Sequence, residues 1–181
     1  MTDLVLTLIG PDRPGLVETV AEVVAAYGGN WLESRMAHLA GKFAGILRIE
    51  VSADKAAALQ AALADLDAHG LKVVGEPCVE GSVATAGRSL DLELVGLDRP
   101  GIMREISQLL ANSGANVEEL STDRTSAPMS GEMLFLAKAR VRLPSNADLG
   151  TLRAALERLA SDLLIEIRLV ETSLETKPRK A

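Results

Sequence analysis

The six residues Gly10-Pro11-Asp12-Arg13-Pro14-Gly15 return as Gly96-Leu97-Asp98-Arg99-Pro100-Gly101, a spacing of 86 residues (96 − 10). The register persists beyond the loop, because Gly28 and Asn30 return as Gly114 and Asn116. A chain that repeats at a fixed period folds as copies of one unit. The 181 residues, 48% of them hydrophobic, are therefore read as two small cores rather than one large one.

Each copy carries the same order of elements. Leu4 to Ile9 is an almost wholly apolar run suited to a central strand, and its counterpart Ser89 to Val95 alternates Leu90, Leu92 and Leu94 with Asp91 and Glu93. After the loop, Leu16, Val17, Val20, Val23, Val24 and Tyr27 line one helical face, matched by Ile102, Met103, Ile106, Leu109 and Leu110. Gly28 and Gly114 then fall where a helix stops, a place for the left-handed backbone glycine adopts without steric cost.

A hairpin follows. Asn30 to Leu39 and Phe43 to Val51 are joined by a turn at Ala40-Gly41-Lys42, and Asn116 to Arg124 and Met133 to Leu143 by a longer connection through Gly131. Residues 54–69, and the stretch holding Leu152, Ala155, Leu156 and Leu159, have helical spacing. Leu71 to Val79 and Leu164 to Val170 read as closing strands. The order βαββαβ, twice, predicts an α+β protein of two tandem ferredoxin-like domains, each an antiparallel sheet with both helices on one face. The expected boundaries are 1–80 and 88–172, with a linker at 81–87 and a polar tail at 173–181 that includes Lys177, Arg179 and Lys180.

Unrelated functions share that fold, so the residues must narrow the choice. Net charge is −6; residues 1–86 hold 6 Lys/Arg against 11 Asp/Glu and residues 87–181 hold 13 against 14, so neither half offers the basic surface that nucleic acid requires. Gly41-Lys42-Phe43-Ala44-Gly45 faintly echoes an RNA-binding signature, but one Trp, one Tyr and two Phe leave no stacking platform. Cys78, His38 and His69 lack metal-ligand spacing, no phosphate-binding or nucleophile motif is present, and no cofactor is implied. The lone cysteine and the short first apolar run predict a cytoplasmic protein without a membrane span.

The repeated loop has a bland explanation. Pro14 and Pro100 suit the first helical position, with Asp12 and Asp98 accepting hydrogen bonds from the first turn. It also has a functional one: a helix N-terminus reached through a glycine-bearing loop offers N–H donors and partial positive charge to a carboxylate. Asn30 and Asn116 would add amides able to engage a zwitterion.

The run GPDRPGLVETVAEVVAAYGGNWLESRMAHLAGKFAGILRI, with its counterpart, resembles the ACT-domain family, and within it the tandem ACT-domain repressors. The resemblance implies regulation by a small amino acid, glycine or a relative, bound where ACT domains meet, with the loop after the first strand facing the second strand of a neighbouring domain. It nominates Gly10, Asp12, Arg13, Gly15 and Asn30, then Gly96, Asp98, Arg99, Gly101 and Asn116. With no helix-turn-helix or basic region to touch DNA, the effect on transcription is expected to pass through a protein partner such as a transcriptional activator. A homodimer is expected at the second strands, whose unprotected edges seek partners, and Trp31 is expected to pack across a domain interface. Two rivals are a ligand-independent scaffold of a metabolic enzyme and a relative of formyltetrahydrofolate hydrolases, which open with similar domains.

Overall fold

The structure, a computed structural model, describes residues 1–78, 86–128 and 130–171. Its contacts divide the chain into two compact units, Met1–Gly81 and Ser82–Ala181. Residues 81–85 of the expected linker, and the expected tail 173–181, lie outside the described residues.

The first unit runs β1 (Thr2–Pro11), α1 (Leu16–Ala26), β2 (Asn30–Leu39), β3 (Lys42–Val51), α2 (Ala53–Ala64), a 3₁₀ turn (Asp65–His69) and β4 (Lys72–Pro77). The second runs β5 (Gly87–Leu97), α3 (Ile102–Asn112), β6 (Asn116–Ser126), β7 (Met133–Pro144), α4 (Leu149–Leu163) and β8 (Ile165–Glu171). Both sheets are antiparallel between neighbours, in the orders β2-β3-β1-β4 and β6-β7-β5-β8. The second strand of each unit is thus an edge. Alternation decides which face is buried: Leu4, Leu6 and Leu8 of β1 pair with Ile49, Leu47 and Gly45 of β3 and pack with Leu16, Val20 and Val24 of α1 and Leu59 and Leu63 of α2. Each fully buried leucine or isoleucine contributes about 1.5–3 kcal/mol. Leu90, Leu92 and Leu94 do the same in the second unit with Ile102, Ile106, Leu110, Leu152 and Leu156.

Several expectations change at element ends. Val17 is 46% exposed, because the buried stripe of α1 is the narrower set Leu16, Val20, Val24. The first hairpin turn contracts to Ala40-Gly41, both at positive φ (49° and 76°), the mirror-image turn that matches strand twist. The second connection spans residues 127–132. The helix expected over 54–69 stops at Ala64 and tightens into the 3₁₀ turn before Gly70. Leu164, expected in the last strand, instead ends α4 in the left-handed conformation (φ 53°) and is 84% exposed. Trp31 is partly buried and packs against the core of its own unit.

Candidate functional site

β1 delivers the chain to the loop 12–15, and the loop opens α1. Gly15 occupies the cap position in the left-handed conformation (φ 88°), as does Gly101 before α3 (φ 91°). A side chain there would be strained, so glycine is needed to turn the chain into the helix. Pro14 and Pro100 therefore precede the cap and are not the first helical residues, and neither Asp12 nor Asp98 caps: among the described residues, no side chain accepts from the first turn of α1 or α3. Helix α4 shows what a capped start looks like, with Asp148 accepting from the N–H groups of Gly150 and Thr151 and from the Thr151 hydroxyl. The hydroxyl and backbone donors hold the Asp148 carboxyl below the usual carboxylate range.

Gly10 and Gly96 have a role inside the sheet. A Cβ on Gly10 would stand 2.7 Å from the Gly70 carbonyl oxygen, and one on Gly96 would stand 2.2 Å from Cγ2 of Ile165. Both glycines are buried; Gly10 lets Gly70 and Leu71, which lead into β4, pass close to β1, and Gly96 lets β8 close against β5.

The arginines are braces. Arg13 donates to the carbonyl of His69 at 2.9 Å, tying the loop to the 3₁₀ turn, while Arg99 donates to Glu105 at 2.8 Å, on the first turn of its own helix. Asp98 is paired with Arg124 of β6 at 2.6 Å. One period back, His38 stands where Arg124 does, each opposite a phenylalanine, Phe43 or Phe135. Asp12 is exposed and its backbone N–H is held by Gly41. Arg124 and Glu105 are contacts that the motif did not reveal; extending the 86-residue comparison to His38 and Arg124 would have exposed the first.

Asn30 and Asn116 are exposed but stand far from the loops of their own units. Asn30 pairs with Glu50, whereas Pro11, at the loop, pairs with Lys42. Eight residues along a strand is roughly 26 Å. Asn116, opposite Arg142, is separated in the same way from Leu97, opposite Leu134. Each loop is thus gathered around its helix start, and each asparagine is placed at the far end of the sheet. Other concavities lie on the sheets, including one of about 460 Å³ bordered by Asp91, Glu93, Glu119 and Lys138. Among the described residues, no group of His, Cys, Asp and Glu could hold a metal ion, and no helix is long and apolar enough to cross a membrane.

The model of the ACT domain matches residues 2–74 and again residues 86–161. The glycine cleavage system transcriptional repressor of Escherichia coli (strain K12) is 24% identical over 164 residues, covering 88% of this chain and 85% of that protein, and the repressor of Shigella flexneri matches equally. Among solved structures, an unknown protein from Galdieria sulphuraria superimposes with a TM-score of 0.84 at 29% identity, over 95% of this chain and 99% of that one. A structure named for the glycine cleavage system transcriptional repressor gives 0.70 at 21% identity, over 95% and 98%, and shares the fold.

Proposed function

Because both halves of this chain belong to the ACT-domain family, we propose that it is a cytoplasmic, non-enzymatic regulator that binds a small amino acid, glycine or a relative, and acts on transcription through a protein partner. The observation that carries this reading is the uncapped first turn of α1 and α3, reached in each case through a left-handed glycine. Those N–H groups suit a ligand carboxylate, and Asp12 beside them suits an ammonium group. The first loop is the better receptor, since Asp98 is already neutralised by Arg124.

Within one unit the asparagine stands too far from the loop to share a ligand of this size, so loop and asparagine act together only when the asparagine comes from a neighbouring ACT domain. The similarity to a glycine cleavage repressor over most of both chains supports glycine as the first ligand to try. Glycine has few atoms: at about 1.5 kcal/mol for each of roughly five, its ceiling is near −7.5 kcal/mol, a few micromolar. A coupling of about 1–3 kcal/mol between ligand and partner would suffice to switch the response.

Isothermal titration of the full chain against the common amino acids tests this. We expect at least one ligand of micromolar to millimolar affinity, weakened about tenfold or more by Asn30→Ala and by Asp12→Asn. No heat with any of them refutes amino-acid sensing.

A further inference from the structure

Beneath the first helix of each unit, matching positions carry different volumes. In the first unit the edge strand β2 sets Trp31 opposite Ile49, Ser34 opposite Leu47 and Met36 opposite Gly45, and Trp31 and Met36 are both partly buried against the core. Met36 lies so close over Gly45 that a Cβ there would stand 2.5 Å from its Cγ. In the second unit the corresponding pairs are Val117 with Val141, Leu120 with Ala139 and Thr122 with Ala137. An indole has become an isopropyl group, a thioether chain a threonine, and the leucine of the central strand an alanine. Helix α3 returns part of the lost volume, with Met103, Ile106 and Leu110 where α1 has Val17, Val20 and Val24.

What is not returned is a cavity of about 30 Å³ between α3 and β6. Its floor is Leu92, Leu94, Ala137 and Ala139 of the sheet with Ile106 and Leu110 of the helix, all buried. Its rim is Met103 and Ser107 of α3 with Val117 and Leu120 of β6; Val117 is 40% and Leu120 51% exposed, so the cavity meets solvent between helix and edge strand. No charged side chain lines it, and its one hydroxyl, that of Ser107, donates to the carbonyl oxygen of Met103 at 2.6 Å. A held water needs about two to four polar partners, which these walls do not supply. An apolar guest loses nothing there.

We infer that this cavity of the second unit is a binding site for a small, flat, uncharged aromatic ring. The first unit supplies the argument for shape: at the register position that Val117 occupies, the same fold packs the indole of Trp31 against its core. The cavity as it stands is smaller than an indole, and its rim is built to give. Met103 has the three rotatable bonds that let methionine follow an irregular guest, and Leu120, half exposed, turns outward without leaving a packed position. A ring that enters exchanges water for the side chains of Leu92, Leu110 and Ala139, and meets the Met103 sulfur, a favourable neighbour for an aromatic edge. A charge carried inward would be stranded without a counter-ion. The site uses neither the loop before α3 nor Asn116, so it stands whether or not an amino acid binds.

Methyl spectra of the full chain, labelled at its methionines and titrated with indole, decide the matter. The Met103 methyl, assigned through Met103→Leu, should shift and saturate with a midpoint on the order of 1 mM, the weak end for so small a ligand, while Met36 of the first unit stays in place. Val117→Trp and Ala139→Leu each restore a residue of the first unit, and each should abolish the Met103 response with an unchanged circular dichroism spectrum. Val117→Trp, on an edge strand, decides alone if Ala139→Leu disturbs the core. Glycine at the same concentration should not displace indole. A Met103 shift that grows linearly to the solubility limit of indole, or one that survives Val117→Trp, overturns the inference: the first is unspecific contact and the second is binding elsewhere.

Discussion

Gly96→Ala asks whether a motif glycine serves shape or ligand. The added Cβ would sit 2.2 Å from Cγ2, 2.7 Å from Cβ and 3.2 Å from Cα of Ile165, the first residue of β8. Relieving the closest approach requires a shift of about 1 Å in a β-branched side chain with little rotamer freedom. Ile165 is 7% exposed and belongs to the core of the second unit. Overpacking typically costs about 1–3 kcal/mol, and the stiffness of the neighbour places this case at about 2–3 kcal/mol. For a unit of this size that is a fall in Tm on the order of 10 °C. Ile165→Ala alone should cost about 2–5 kcal/mol as a cavity, but it also removes the atom in the way. The double variant should therefore fall short of the sum of the two by at least about 1 kcal/mol. Urea and thermal unfolding followed by circular dichroism measure all three. Unchanged stability in Gly96→Ala, or strict additivity, would refute the steric account and return Gly96 to the ligand.

Two further outcomes are expected. Leu164→Gly should stabilise the protein by about 0.5–1 kcal/mol, since relief of a left-handed leucine, worth about 1–2 kcal/mol, outweighs the extra freedom of glycine in the unfolded chain; a lower Tm would refute this. Asp148→Ala should lower Tm at neutral pH. Because its hydrogen-bonded carboxyl titrates below the unfolded value, the stability it supplies is present above the unfolded pKa and is lost as pH falls through the folded one. The Tm gap between wild type and variant should close on acidification, and a gap independent of pH would count against the cap.

The repeat and the alternation made the architecture legible, because both are properties of the backbone period: β1 and β5 declare their buried faces through Leu4, Leu6, Leu8 and Leu90, Leu92, Leu94. Element ends were less legible. Leu164 has the composition of a strand residue and sits in a helix cap, and Pro14 looks like a helix start but stands before one, because a left-handed Gly15 is a property of the path rather than of the residue. Motif residues that recur together in sequence have separate structural surroundings, with Gly10 admitting Gly70 and Leu71, Gly96 admitting Ile165 of β8, and Arg13 and Arg99 bracing loops. The pairing of Asp98 with Arg124 depends on register across a hairpin, which no local pattern carries. The distance from loop to asparagine follows from β1 and β2 running parallel, a topological fact visible only once the strands are ordered.

The chain has one tryptophan, and the fold sets it immediately after Asn30, at the irregularity between Trp31 and Glu33 on the edge of the first sheet. Indole emission is therefore a reporter confined to one half of the molecule. It will register events at the first asparagine and the melting of the first core while remaining dark to the second, so comparing it with the circular dichroism of both halves separates the fates of two modules of the same fold without any label.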